Sequence, residues 1–146
     1  MRVVLDTNVV VSGLLTPFGP PARVVGLAVS GALECAFDAR ILTEYDDVLR
    51  RRRLRIDPDE REEFLAHIRR DGVPVAAPPL PAPLPDRSDE AFVEVALAGG
   101  ARCLVTGNGA HFPSGLCLGL PVLSPAELVE VVRRIGIPAP GRSPYS

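Results

Sequence analysis

Short apolar runs without polar alternation recur along this chain, and stretches with helical spacing separate them. The first run, "RVVLD" (2–6), is continuously apolar from Val3 to Leu5, with two β-branched valines, and stops on an acid, the pattern of a strand buried on both faces. "LECAFD" (33–38), "ARCLVTG" (101–107) and "LPVLSP" (120–125) repeat it. The stretch "PARVVGLAVSG" (21–31) opens on Pro21 and closes on Gly31, which predicts a helix. "ARILTEYDDVLRRRR" (39–53) predicts another, with Ile41, Leu42, Tyr45, Val48 and Leu49 on its apolar stripe. A third runs over 57–72, with Asp57 as N-cap, Pro58 at the first position, acids in the first turn, arginines in the last and Gly72 as the stop.

Ser88 or Asp89 caps a fourth predicted helix (87–100), and the Ser124/Glu127 capping box opens a fifth (125–136). Alternation of this kind implies a three-layer α/β/α sandwich around a central parallel sheet with right-handed crossovers. The proline-saturated segment 74–86 has room for one short edge strand and otherwise serves as a connection. Residues 1–136 are expected to form one domain, and 137–146 a flexible tail.

Composition narrows the chemistry. The net charge is −2 and every basic side chain that carries a fixed charge is arginine; the absence of lysine excludes every lysine-dependent mechanism. Bulk electrostatic attraction to nucleic acid is also excluded, so any such binding rests on local patches. Cys35, Cys103 and Cys117 lack C-x-x-C spacing and read as small hydrophobes in a reducing compartment. No apolar stretch is long enough to span a membrane and no signal-peptide pattern opens the chain, so the expected location is the cytoplasm.

In a parallel sheet, the polar residues that follow each strand border the ligand crevice. Here these are Asp6 after the first strand, Asp38 and Glu44 after the second, and Thr106, Gly107 and Asn108 after the run at 101–107, with Asp86 and Asp89 opening the helix before it. Carboxylates gathered at one edge repel one another, and a hard divalent cation removes that penalty. Such an ion activates water and stabilises charge at phosphorus, so phosphodiester hydrolysis is the natural chemistry of the set. Each acid also has an ordinary reading: Asp6 and Asp86 as turn formers or caps, Glu44 as a helix residue at the border of the buried face.

The successive segments "VVLDTNVVVSGLL", "ILTEYDDVL", "DRSDEAFVEVALAGGARCLVTGN" and "HFP" resemble the motifs of PIN domains, in order and spacing over residues 2 to about 124. Within that family they are similar to the small bacterial branch of toxins from toxin–antitoxin pairs. The resemblance implies a Mg²⁺- or Mn²⁺-dependent endoribonuclease acting on single-stranded RNA. By position, it assigns metal binding to Asp6, Glu44 and Asp89; Asp86, three residues before Asp89, is a candidate fourth acid by its spacing. It assigns support to Asn8, Ser12 and Thr106, while Asn108 departs from the pattern, its amide able to orient a water or ligand at the site without adding charge. Many PIN domains carry an acid at this last position, so three acids imply one metal more readily than two. The resemblance further implies a homodimer and a small antitoxin partner that covers the acidic site.

Two further features stand beside that pattern. Arg50, Arg51, Arg52 and Arg53 open the run "RRRRLR" (50–55), readable as the charged end of a helix or as a contact to an RNA backbone. His111 has two readings, a proton donor to the leaving oxygen or a rim residue beside a core-plugging Phe112. A haloacid-dehalogenase-type phosphatase would need an Asp where Asn8 stands, and a receiver domain would need a lysine. The remaining alternative is a PIN-like binding module without activity.

Overall fold

The computed structural model describes residues 1–136, and in it the apolar runs become strands of one parallel sheet. Strands β1 (Arg2–Leu5), β2 (Glu34–Phe37), β3 (Val73–Pro74), β4 (Cys103–Val105) and β5 (Val122–Leu123) lie in the order β3-β2-β1-β4-β5. All four pairings are parallel. Among the described residues six helices flank the sheet, giving the α/β/α arrangement expected from the alternation: α1 (Thr7–Leu15), α2 (Pro20–Val29), α3 (Ala39–Leu49), α4 (Pro58–Asp71), α5 (Glu90–Ala98) and α6 (Pro125–Ile135). The expected tail, 137–146, lies outside the described residues.

Strand order decides where a ligand would sit. From β1 the chain moves to β2 and then β3 on one side, while β4 and β5 fill the other, so the direction reverses between β1 and β4. Crevices open outside the carboxyl ends of strands at such a switch point. The β1–β4 register pairs Val3 with Cys103, Val4 with Leu104 and Leu5 with Val105. The next residues, Asp6 and Thr106, are thereby brought together at the crevice.

Local signals account for most elements. Asp57 accepts from the Asp59 and Glu60 N–H groups, and Ser124 and Glu127 close the capping box, as expected. Asp38 caps α3 by accepting from Ile41 N–H and pairs with Arg40, so it acts as a cap. The edge strand of the proline-rich region is confined to its start at Val73–Pro74, where a missing N–H costs the sheet little.

One helix is added and two expectations are corrected. Periodicity did not announce α1, because Val9, Val10 and Val11 have poor helix propensity. The helix forms because Asp6 accepts from Thr7 N–H at 2.8 Å and because Val9 and Val10 are buried. The arginine run does not continue α3: the helix ends at Leu49, and Arg52–Leu54 form a separate 3-10 turn closed by Arg55 in left-handed conformation. Neither Ser88 nor Asp89 provides the side-chain cap at the helix over 87–100. Asp86 caps a 3-10 turn (Arg87–Asp89) instead, and α5 starts after it.

The core is built on Val3, Val4 and Leu5 of the central strand, with Tyr45 and Phe64 meeting edge to face at 5.7 Å. All three cysteines are buried and free, and burial pushes the thiols of Cys35 and Cys103 to about 12 and about 11. No helix among the described residues is long and apolar enough to cross a membrane.

Helices α1 and α2 cross closely at Gly13, where an added Cβ would stand 2.4 Å from Val25 Cγ2 and 2.7 Å from the Pro21 carbonyl oxygen. Gly13→Ala is therefore expected to destabilise the protein by about 1–3 kcal/mol in urea denaturation. Gly26 lies within α2 with open space around a Cβ, so Gly26→Ala is expected to be neutral or to stabilise by up to about 1 kcal/mol.

Candidate active site

Asp6 leaves β1 with its side chain buried, 7% exposed, and must be satisfied by the protein. One oxygen accepts from Thr7 N–H at 2.8 Å and the other from the Thr106 hydroxyl at 2.8 Å, across 100 residues of sequence. Thr106 Oγ1 in turn accepts from Asn108 N–H at 3.0 Å, which shapes the turn after β4. Asn8 Oδ1 accepts from Gly107 N–H at 3.0 Å and fastens that turn to the start of α1.

Glu44 comes from α3, whose buried stripe of Ile41, Tyr45 and Leu49 rolls it to the edge of the crevice. Its Oε2 accepts from the Thr7 hydroxyl, a contact that sequence spacing did not single out. Tyr45, the next residue, donates to the Leu5 carbonyl and ties α3 to the end of β1. Asp89 arrives from the 3-10 turn before α5 and is 8% exposed. Its Oδ2 is buried without a hydrogen-bond partner among the described residues, although His111 Nδ1 stands 3.3 Å away. The separation suits an ion pair while the alignment is not that of a hydrogen bond.

These side chains line a cleft of about 430 Å³ together with Asn8, Ser12, Arg51, Arg53 and His111. Burial raises the pKa of all three acids. For Asp6 it outweighs the hydrogen bonds from Thr106 and Thr7. For Glu44, burial outweighs the Thr7 hydrogen bond, and repulsion from Asp6 and Asp86 adds to it. Asp89 is pushed furthest, to about 6, by burial and then by the charges of Asp6 and Asp86.

Several expected participants are not part of the cleft lining. Asn108 is exposed, and its side chain neither lines the cleft nor makes a hydrogen bond among the described residues; its backbone N–H is the part that serves Thr106. Asp86 is spent as a cap, accepting from Ser88 N–H and Oγ, and those bonds hold its carboxyl below the usual range. Of the arginines, Arg50 is engaged by Asp46 and Glu62, and only Arg51 and Arg53 of the four face the cleft.

The PIN domain family matches residues 2–110. The chain belongs to the PIN domain family. No curated protein matches it. PIN domains are in general nucleases and typically use divalent metals, so this is a nuclease-type hydrolase fold. In this PIN domain, Asp6, Glu44 and Asp89 come from three segments to one crevice, with an unpartnered buried oxygen at Asp89. The donor types are those a hard divalent cation takes, and such an ion would relieve both the repulsion and the unmet acceptor. Among the described residues no three acidic, histidine or cysteine side chains are gathered at ligand spacing around one point. Thr7 and Thr106 hold Glu44 and Asp6 in hydrogen bonds instead.

The raised acids give the metal-free PIN domain a signed pH dependence. Asp89 moves from an ordinary 3.8 to about 6 on folding, so the folded state binds its proton more tightly. Its contribution to stability is fully present below about 4 and is lost as pH rises through about 6. Melting temperature without metal is expected to fall across that window. Asp89→Asn should flatten the fall and melt higher than wild type near neutral pH; identical pH profiles for the two proteins would exclude this origin.

Proposed function

We propose that this PIN domain is a Mg²⁺- or Mn²⁺-dependent endoribonuclease acting on single-stranded RNA, the toxin of a toxin–antitoxin pair. The observation that carries the reading is the convergence of Asp6, Glu44 and Asp89 on one crevice, each with a raised pKa and one with an orphaned buried oxygen. When bound there, a divalent ion supplies an activated water and neutralises the charge that develops at phosphorus. Asp6, Glu44 and Asp89 would hold that ion.

The residues around them have separable tasks. Thr106 and Thr7 orient the Asp6 and Glu44 carboxylates through hydroxyl donors. Asn8 anchors the Gly107 turn, so the cleft keeps its shape between α1 and β4. Arg51 and Arg53 stand on the cleft wall facing the acids, where they would hold the RNA backbone against a locally negative floor. Among the described residues no Phe, Tyr or Trp lines the cleft, so affinity would depend on phosphate contacts more than on base stacking.

Exposed Leu15 and Phe18 near the α1–α2 connection, and Ile135 on α6, supply apolar surface for a second copy. An antitoxin would act by covering the acidic cleft. This part of the proposal rests on the motif resemblance, and a stable complex with the product of the adjacent reading frame would test it.

Cleavage of single-stranded RNA is expected with Mn²⁺ or Mg²⁺ and to fall by about 10²-fold or more in Asp6→Asn and Asp89→Asn. Equal cutting by wild type and both variants would refute the assignment. Saturating Mn²⁺, at about 100 times its Kd, should stabilise wild type by about 2.7 kcal/mol, whereas a flat response would favour an inactive binding module. Replacing Arg51 and Arg53 together with alanine should make the log–log salt dependence of RNA binding shallower by about 1.4, at about 0.7 per lost phosphate contact. An unchanged slope would place the RNA elsewhere.

A further inference from the structure

Glu44 borders two cavities, and only one of them holds the other two acids. The cleft with Asp6 and Asp89 follows the second half of α3 and the turn after it, through Val48, Arg51 and Arg53. A second cavity, of about 260 Å³, lies along the first half of α3, with Arg40, Ile41 and Glu44 on one side and Arg87, Ser88 and Phe92 on the other. From Arg40 to Val48 the helix rises about 12 Å, at about 1.5 Å per residue. The two cavities therefore succeed one another along α3 and meet at Glu44.

The second cavity has a cation to offer. Arg40 is occupied, pairing with Asp38 and with Glu94 at 2.7 Å each. Arg87 is loosely held: its side chain is 84% exposed, and its one ion pair among the described residues, with Glu90, spans 3.8 Å, beyond hydrogen-bond reach. The backbone beneath it is fixed, because Asp86 accepts from Ser88 N–H at 2.9 Å in the same 3-10 turn that delivers Asp89. At the other end, burial raises the Glu44 pKa and the charge of Arg51 offsets part of that rise, so Arg51 acts directly on the acid shared by both cavities. A polyanion that crosses Asp6, Glu44 and Asp89 is repelled there unless cations hold it on both sides.

We infer that the RNA strand runs along α3 and crosses it at Glu44, with Arg51 and Arg53 holding the backbone on one flank of the scissile bond and Arg87 holding a phosphate on the other. Arg87 is then a substrate-binding residue, and the second cavity is a phosphate subsite. The inference rests on the nuclease reading of the adjoining cleft and deepens it. To test it, a fluorescent oligouridylate is titrated without divalent metal at several salt concentrations, and cleavage of the same strand is followed with Mn²⁺.

Arg87→Ala should make the log–log salt dependence of binding shallower by about 0.7, and combining it with the Arg51 and Arg53 replacements should remove about 2.1. It should raise KM by about threefold or more with kcat unchanged, the mark of lost uniform binding. Arg87→Lys should keep the wild-type slope, and Arg70→Ala, on the distant α4, should change neither quantity. An unchanged slope in Arg87→Ala, with cleavage by wild type intact, overturns the subsite and leaves the nuclease reading standing. A fall in kcat at constant KM, or a lysine variant as impaired as the alanine one, marks a disturbed turn and also overturns the subsite. Wild type that neither binds nor cuts the strand overturns both readings.

Discussion

Burial of the Asp6 carboxylate is the constraint on which the crevice depends. A charged group 7% exposed at the end of a central strand needs donors, and the fold provides two. Thr7 N–H is available because α1 begins at that residue, and the Thr106 hydroxyl because β4 lies in register beside β1. Thr106 then accepts from Asn108 N–H, and Asn8 accepts from Gly107 N–H. Strand register, helix start and loop shape are thus coupled through a single side chain.

Around that anchor the electrostatics are deliberately unbalanced. Burial raises the pKa of Asp6, Glu44 and Asp89, repulsion between acids adds to it at Glu44 and Asp89, and Arg51 and Arg53 stand on the cleft wall. Elsewhere the same residue types are neutralised in pairs: Arg50 with Asp46 and Glu62, and Arg40 with Asp38 and the buried Glu94. Glu94 also accepts from Leu80 N–H and so pins the proline-rich connection to α5.

How much could be read in advance depended on the range of the controlling interaction. Helices α4 and α6 were readable because their caps lie within three residues of what they cap. The strands were readable because burial on both faces leaves no alternation. Helix α1 was not, since local propensity at Val9, Val10 and Val11 points the other way and only the Asp6 cap and core burial reverse it. The end of α3 before the arginine run, and the 3-10 turn that delivers Asp89, likewise depend on contacts that no window of sequence contains.

For the crevice, position near the strand ends singled out Asp6, Asp38, Glu44, Asp86 and Asp89 alike, and it was the motif resemblance that narrowed them to Asp6, Glu44 and Asp89. Sequence alone determined the layered α/β class and the parallel sheet. Only the tertiary structure decided which neighbours serve the three acids. It turned Asn108 outward, brought Thr7 to Glu44, and set His111 against Asp89. Side-chain direction in a loop follows from what the loop packs against, here Phe112 in the core, and spacing along the chain does not encode that.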